Sequence, residues 1–304
     1  MFKNLVLYRI HGWPESVAHI DEALQSHRFS PCAPTADKSI GWIEPRGQAH
    51  GPLIESVGGQ HILKLVTETK SVPGSLVRAK ADEEAARIEH TTGRKPGKRE
   101  LHELREDALL ALLPVAFPRQ SGCTVWVDPA RRLLAMDAAS QGRADDVATA
   151  LVQSIDGLLL QPLNTKTSPQ TAMAAWLTAQ TPDDWPADLS VERECVLKSA
   201  DEDKAVVRYT RHSLAGDQIR EHISQGKLPT QLALSWDGRV SFVLTEALQL
   251  RKIQFLEGVF ESASSRDDDG FDADVSIATG ELGRLLPGLI DALGGEVEPQ
   301  AVPA

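Results

Sequence analysis

The stretch LLPVAFPRQSGCTVWVD, residues 112–128, contains the change of secondary structure that decides the fold class. It begins at the end of a run of strong helix formers, and Pro114 stops that helix because proline lacks the backbone N–H that a helix interior needs. It ends in the short apolar run CTVWVD, which is typical of a strand. A helix followed at once by a strand shows that this unit contains both kinds of element, and the order of strand, helix, loop-rich stretch and strand over residues 4–68 predicts a fold of the α+β class.

Two helices precede this stretch. Residues 76–90 and 98–113 are rich in strong helix formers, and the turn TTGRKPG separates them. Both are polar over much of their circumference, so we expect them to project from the body as a helical hairpin covering residues 75–113. The tip of this hairpin carries four cations, Arg94, Lys95, Lys98 and Arg99.

The rest of the first half alternates between strands and helices. Turn residues make residues 31–60 loop-rich, with four prolines and several glycines. We predict strands at residues 4–10, 61–68, 123–128 and 133–137, and helices at residues 14–25 and 143–155. The strands at 123–128 and 133–137 are spaced as a β-hairpin.

The second half repeats this alternation. Residues 161–186 contain four prolines and are expected to connect two units, an N-terminal one at residues 1–165 and a C-terminal one at residues 166–304, although residues 171–179 fit a helix. We predict strands at residues 205–210, 231–236, 240–245, 250–255 and 272–278, and helices at residues 217–225 and 281–293. Asp237-Gly238 is a strong signal for a hairpin turn. The sheets are expected to be antiparallel or mixed.

The charge is unevenly distributed along the chain. The formal net charge is −11, and residues 256–304 contain eleven acidic residues against two arginines. Residues 64–105 contain ten bases against seven acids. This segregation permits a basic surface on an acidic protein, which binding to nucleic acid would require.

The acidic run from Asp267 to Asp274, DDDGFDAD, is the most suggestive metal site. Counted as a calcium loop with Gly270 at the sixth position, it has Ser276 where a bidentate glutamate is required. A two-metal nuclease needs carboxylates that converge from separate elements. We therefore predict no metal site here, and keep a metal-dependent nuclease as an alternative function.

Other signatures of chemistry are weak. Gly226-Lys227 is followed by Leu228 where a phosphate loop needs Ser or Thr. The nine histidines form no zinc pattern. We predict no catalytic residue, no metal and no cofactor. No apolar run approaches the length of a membrane span, and the three cysteines lack paired spacing, so we expect buried thiols in a cytoplasmic protein without a membrane partner.

Several residues are candidates for contact with nucleic acid. Phe117 lies between Pro114 and Pro118, and these prolines make it difficult for Phe117 to be part of a helix or a sheet. Arg119 follows two residues later. An exposed ring beside a guanidinium suits stacking on a base or wedging near the backbone, and the alternative is that Phe117 caps the local core.

A second candidate group lies at the end of the predicted strand 205–210. Side chains alternate between the two faces of a strand, so Arg208 and Tyr209 are expected on opposite faces. Arg211 and His212 are expected to project from the turn that follows. Phosphate contact by these side chains, by Lys227 and by the cations of the hairpin tip competes with the alternative that they are solvated surface charges.

The sequence resembles the recombination-associated protein RdgC family. The resembling stretches occur in order along nearly the whole chain: FKNLVLYRI, FSPC, GWIEP, LLPVAFPRQSGCTVWVD, KLPTQLALSWDGRVSFVL, FDADVSIATGEL and LIDALGGE. Residues 46–60, 91–98 and 165–188 match less well.

The resemblance implies an elongated α+β chain of several subdomains that forms a ring-shaped homodimer. It also implies binding of single- and double-stranded DNA without sequence preference, restraint of RecA-promoted recombination, and a cytoplasmic location at the nucleoid. The family's DNA contacts fall here on Phe117, Arg211 and His212, while Val115 replaces a base found in some members. A second alternative is an adaptor that acts on RecA directly.

Overall fold

The computed structural model describes residues 2–179, 181, 185–199, 205–256, 259 and 270–297. Its first half contains seven strands that form one antiparallel sheet, here called sheet 1, in the order β2-β4-β5-β6-β1-β7 with β3 also paired to β4. The strands are β1 (Val6–His11), β2 (Lys38–Ile43), β3 (Ile54–Val57), β4 (Gln60–Lys70), β5 (Pro118–Asp128), β6 (Leu133–Met136) and β7 (Leu159–Pro162). The predicted strands of this half are confirmed.

The prediction that residues 31–60 are loop-rich is confirmed, since most of them lie outside strands, but the two short strands β2 and β3 in this range were not predicted. They follow one another along the same edge of β4, with β3 on its first residues and β2 on the rest. Within β2, a Cβ on Gly41 would lie 2.3 Å from the Cα of Phe29. The backbone at Phe29 therefore leaves no room for a side chain at this position of β2. This contact cannot be seen in the sequence pattern of residues 38–43.

Two helices cover one face of sheet 1, α1 (Val17–Gln25) and α4 (Gln141–Ser154). Ser16 caps α1 by accepting a hydrogen bond from the backbone N–H of His19. The α4 residues Ala144, Val147 and Leu151 recur at helical spacing and pack into the core of this face. Both helices confirm the predicted ones.

A second antiparallel sheet, here called sheet 2, is built from the C-terminal half in the order β12-β11-β10-β8-β9. The strands are β8 (Leu189–Ser199), β9 (Val206–Thr210), β10 (Lys227–Trp236), β11 (Val240–Thr245) and β12 (Leu250–Phe255). The turn between β10 and β11 places Asp237 at φ 47° and Gly238 at φ 61°, which are type I′ values and confirm the predicted hairpin. Strand β8 was not predicted.

Three further helices belong to this half, α5 (Pro169–Thr178), α6 (Asp217–Ser224) and α7 (Gly270–Ala292). Helices α5 and α6 confirm the prediction. The predicted strand at 272–278 was wrong, since α7 continues through it as one helix. Val275, Ala278, Leu282, Leu285 and Leu289 are all buried at intervals of three or four residues, and this burial outweighs the short alternation of FDADVSIA.

The two halves meet through both backbone and core. Leu5 and Leu250 exchange two backbone hydrogen bonds, of 2.7 and 3.0 Å, that connect the start of β1 to β12. The larger hydrophobic cluster combines Leu7 and Trp126 of sheet 1 with side chains of sheet 2 and α7. The division of the chain at residue 165 stays a prediction.

The helical hairpin consists of α2 (Gly74–Thr92) and α3 (Lys98–Leu112), as predicted. Each helix buries one residue, Ala81 in α2 and Ala108 in α3. Gly93 ends α2 in the left-handed region at φ 72°, where glycine avoids the clash of a Cβ. With so little burial, the hairpin keeps most of its surface in solvent.

All three cysteines are free. Cys123 and Cys195 are buried, and desolvation raises their thiol pKa to about 11 and about 12, which keeps them protonated and unreactive at neutral pH. Cys32 is half-exposed, so the expectation of burial was wrong for this residue.

Candidate nucleic-acid interface

Phe117 lies at the base of the helical hairpin, between a single 3₁₀ turn (Leu113–Val115) and β5. Its ring is 92 % exposed, and Val115 beside it is 73 % exposed. Full burial of a phenylalanine is worth about 1.5–3 kcal/mol, which this position gives up. The alternative that Phe117 caps the local core is therefore wrong.

Arg119 is exposed in the first residues of β5, opposite Thr69 of β4. It has no ion-pair partner in the part of the chain that the structure describes. The next residue, Gln120, donates a 2.8 Å hydrogen bond to the buried Glu68 carboxylate, which also accepts from the backbone N–H of Cys32 at 2.7 Å. These bonds lower the pKa of Glu68 and hold the start of β5 in place.

The second group lies at the edge of sheet 2. In β9, Tyr209 packs against the core while Arg208 is exposed, as strand alternation predicts. Arg211 follows the strand with φ 56° and is exposed. The His212 ring lies 5.5 Å from the Tyr209 ring, and its Nδ1 lies 2.7 Å from the Ser213 carbonyl oxygen, to which it donates.

Lys227 begins β10 close to this group but is half-buried. Its Nζ lies 3.3 Å from His222 Nδ1 and 3.4 Å from Gln225 Oε1. Two of its three donor positions are thus directed at α6 and the residue that follows it. Lys227 is therefore less available to a phosphate than Arg211.

The third group is the tip of the helical hairpin. Three of its four cations pair with glutamates: Arg94 with Glu100 at 2.9 Å, Lys95 with Glu89 at 3.9 Å and Arg99 with Glu103 at 3.1 Å. Lys98 has no such partner within the described residues. Exposed pairs of this kind are worth about 0–1 kcal/mol, so a phosphate can replace the glutamate at small cost.

These three groups are spatially distinct. Helix α2 has 19 residues, so at 1.5 Å per residue the tip lies about 28 Å from the base of the hairpin. Arg208, Arg211, His212 and Lys227 belong to sheet 2 and its turns. No ion pair of the described residues joins one group to another. A ligand that touches all three would have to be long.

The acidic C-terminal segment is partly neutralised by its own Arg284 and by arginines from other parts of the chain. Glu281 is 5 % exposed and pairs with Arg239 and Arg284, each at 2.6 Å. Asp272 lies 2.5 Å from Arg46, whose guanidinium also stacks 4.6 Å from the centroid of the Phe271 ring. Of the acidic run singled out above, residues 267–269 lie outside the described residues.

No cluster of three or more potential metal ligands occurs in the described part of the chain. Asp272 points its carboxylate to Arg46, and Asp274 is exposed on the first turns of α7. None of the helices described here is long and apolar enough to cross a membrane.

Arg211 has neighbours that sequence reasoning missed. It lines a depression of sheet 2 together with Arg193 and Lys252. These residues come from three strands or strand ends, and β8, which carries Arg193, was not predicted. Their proximity could be deduced only from the strand order of sheet 2.

Comparison with known proteins places the chain in a family. A family profile described as "Putative exonuclease, RdgC" matches residues 1–296. The chain belongs to the RdgC family. A recombination-associated protein RdgC from Dechloromonas aromatica (strain RCB) is 41 % identical over 303 residues, which cover 97 % of this chain and 98 % of that protein.

Other RdgC relatives are similar to the same extent. The recombination-associated protein RdgC of Janthinobacterium sp. (strain Marseille) is 40 % identical over 98 % of this chain and 99 % of its own length. That of Herminiimonas arsenicoxydans is 39 % identical over 97 % of this chain and 98 % of its own. The expected membership is confirmed, and with it a connection to recombination.

Proposed function

We propose that this RdgC-family chain binds single- and double-stranded DNA without sequence preference and restrains RecA-promoted recombination. The observation that carries the proposal is Phe117, which is 92 % exposed, two residues before an exposed Arg119 that has no ion-pair partner among the described residues. A ring that can stack on any base, next to a cation that can bind any phosphate, recognises nucleic acid but not its sequence. In this proposal the chain acts by binding, without catalysis or a cofactor.

We further propose that two chains close into a ring around DNA at the nucleoid, in the cytoplasm. A closed two-fold ring needs two different isologous interfaces. The helical hairpin supports this idea because it exposes apolar side chains, with Leu76 54 % and Leu110 51 % exposed. Cations on the inside and acids on the outside would let an acidic protein hold a polyanion.

The first experiment is a salt titration of DNA binding, with labelled duplexes and single strands of unrelated sequence. We expect affinity to fall steeply with salt, by the same factor for each sequence. Arg211→Ala should weaken binding uniformly and reduce the slope of log K against log salt by about 0.9. Binding that is salt-insensitive or strongly sequence-selective would contradict the proposal.

Arg132→Ala is the matched control. Arg132 is also an exposed arginine in the left-handed region, at φ 52° against 56° for Arg211, but it lies in the turn between β5 and β6. Both substitutions remove one charge from a strained backbone position. Only the Arg211 variant should change the salt slope.

Ring closure has its own measurement. Mass determination in solution should give a dimer, and a circular DNA should retain the protein at a salt concentration that removes it from the linear form of the same DNA. Equal release from both forms would argue against enclosure.

A strand-exchange assay with RecA separates two routes to inhibition. If the chain acts through DNA, excess DNA should relieve the inhibition. Inhibition that persists with excess DNA would instead support an adaptor that binds RecA directly.

The family description favours a second candidate function, that of an exonuclease. End-labelled DNA incubated with the protein and magnesium or manganese tests this. Shortening of the DNA that is lost in an Asp272→Asn, Asp274→Asn variant would support a metal-dependent nuclease at the acidic run. If the DNA stays intact at every protein concentration that saturates binding, the nuclease function is excluded.

A further inference from the structure

The face of sheet 2 that points away from the core forms a shallow depression of about 690 Å³. Small side chains form its floor, Ala233 of β10 and Ser241 of β11, which alternate with buried neighbours. Charged side chains surround them: the cations Arg193 of β8, Arg211 after β9 and Lys252 of β12, and the carboxylates Glu192 and Glu194 of β8. Glu192 accepts a 2.8 Å hydrogen bond from the Ser235 hydroxyl.

Two departures from regular β-structure lie at this depression. The pairing of β8 with β10 shifts register between Leu232 and Leu234, and this irregularity contains Arg193 and Glu194. The pairing of β11 with β12 shifts between Ser241 and Val243, opposite Lys252. Irregularities of this kind redirect side chains and are common next to functional sites.

Two of the three cations have an unfavourable backbone conformation. Lys252 has φ 52° and Arg211 has φ 56°, values in the left-handed region that L residues with a Cβ rarely adopt. Neither position holds the glycine that would relieve this conformation. Strained residues of this type concentrate at binding sites, and here both present a cation to the same concave face.

One ion pair crosses the depression. Lys252 Nζ lies 2.6 Å from Glu194 Oε1, although β11 and β10 separate β12 from β8 in the sheet. Three strand spacings amount to about 14 Å in a flat sheet, so this ion pair spans two intervening strands. The Glu194 carboxylate thus occupies the place beside Lys252 where a phosphate oxygen would bind.

We infer that this depression is a phosphate-binding groove in which Lys252 and Arg193 extend the DNA contact of Arg211, and in which Glu194 competes with phosphate for Lys252. The inference rests on the proposed DNA binding. Arg193 is exposed and has no ion-pair partner in the described part of the chain. A DNA strand that enters the groove must displace the Glu194 carboxylate from Lys252. The Lys252–Glu194 ion pair therefore makes the affinity for DNA lower than three free cations would give.

Glu194→Gln tests the competition. The variant frees Lys252, and we expect tighter binding of a labelled duplex by about two- to fivefold at low salt, the range for an exposed ion pair. The slope of log K against log salt should become steeper, by up to about 0.9, because Lys252 then contributes its own phosphate contact. Adding Lys252→Gln to this variant should remove both changes.

Asp146→Asn is the matched control. Asp146 pairs with Lys38 at 2.8 Å between α4 and β2, with side chains 33 % and 42 % exposed, against 29 % for Glu194 and 61 % for Lys252. It changes the net charge by the same amount on a different face. An equal gain in affinity from both variants, or a gain in the Glu194 variant that survives Lys252→Gln, would overturn the inference.

The two levels of the proposal fail in different ways. If the wild-type chain shows no salt-dependent DNA binding, the proposed function is wrong. If it binds, and Arg211→Ala weakens binding while Glu194→Gln matches Asp146→Asn, only the groove is wrong. Thermal unfolding of each variant shows whether it folds. The single variant Glu194→Gln and the double variant with Lys252→Gln carry the same change at Glu194, so any difference in their DNA binding comes from Lys252.

Discussion

Helix α7 buries nine of its residues, whereas α2 and α3 of the helical hairpin bury only Ala81 and Ala108. Charged residues occur in both regions but have different surroundings. In α7 the carboxylate of Glu281 is nearly inaccessible and accepts from two arginines. In the hairpin the paired side chain of Arg99 is 93 % exposed.

This difference in exposure distinguishes charged side chains that stabilise the fold from charged side chains that can bind a ligand. A buried carboxylate cannot lose its partners without a large penalty, so Glu281 and its arginines are committed to the structure. An exposed pair costs little to exchange. The hairpin cations can therefore leave their glutamates for phosphates while the fold is unchanged.

The largest effect on stability is expected from the core face of α7. Leu285→Ala should lower the free energy of unfolding by about 2–5 kcal/mol, because the side chain is fully buried. Leu110→Ala removes the same atoms from the exposed hairpin and should change it by less than about 0.5 kcal/mol. Urea denaturation measures both, and equal losses would break the comparison.

A smaller loss is expected for Glu281→Gln, about 1–3 kcal/mol, since the arginine hydrogen bonds lose their charge. The hydrogen bond from Arg239 is the main cause that lowers the pKa of Glu281 below its ordinary value of 4.5. A lowered carboxyl pKa stabilises the folded state above that value and loses its contribution as the pH falls through the folded pKa.

The Gln variant should therefore lose less stability than the wild type on acidification below about pH 4.5. Urea denaturation at neutral and acidic pH measures the difference. Parallel losses in both proteins would show that Glu281 carries no such linkage.

The tip of the hairpin should affect binding far more than folding. Changing Arg94, Lys95, Lys98 and Arg99 to glutamine should alter the free energy of unfolding by no more than about 1 kcal/mol. If all four contact phosphate, the slope of log K against log salt for duplex DNA should fall by about 3.6. A control variant changes Lys38 of β2 and Lys198 of β8 to glutamine; both are exposed and lie outside the hairpin, so this variant should keep the wild-type slope. An unchanged slope in the tip variant would remove the tip from the interface.

The smallest effect on stability is expected for Phe117→Ala, less than about 0.5 kcal/mol, because the ring is already 92 % exposed. Phe242→Ala, which empties a buried site, should cost about 3–5 kcal/mol. The Phe117 variant should nevertheless change how DNA is held, which a fluorescent base analogue in the DNA can report. Unaltered base fluorescence would show that the ring does not contact bases.

Much of this fold could be predicted from local signals. The hairpin of α2 and α3, the type I′ turn at Asp237 and the helix stop before Pro114 each depend on residues close in sequence. The elements that escaped prediction depend on distant neighbours. Strand β2 forms where the backbone near Phe29 lies against Gly41, and α7 is a helix because its apolar residues meet the core.

The candidate site divides in the same way. Phe117 and Arg119 were identified because two prolines exclude the ring from helix and sheet, which is a local argument. Lys252 and Glu194 were missed because β12 and β8 are separated by two strands of sheet 2 and meet only through these side chains. Sequence spacing carries no information about such a contact without the strand register.

The backbone pairing of Leu5 with Leu250 has a consequence for how the molecule is made. Leu250 is synthesised 245 residues after Leu5 (250 − 5), and contacts of such long sequence separation slow folding. Until then Phe2 and Leu7 lack the side chains of sheet 2 and α7 that complete their core. We expect the nascent chain to depend on chaperones until sheet 2 and α7 have left the ribosome.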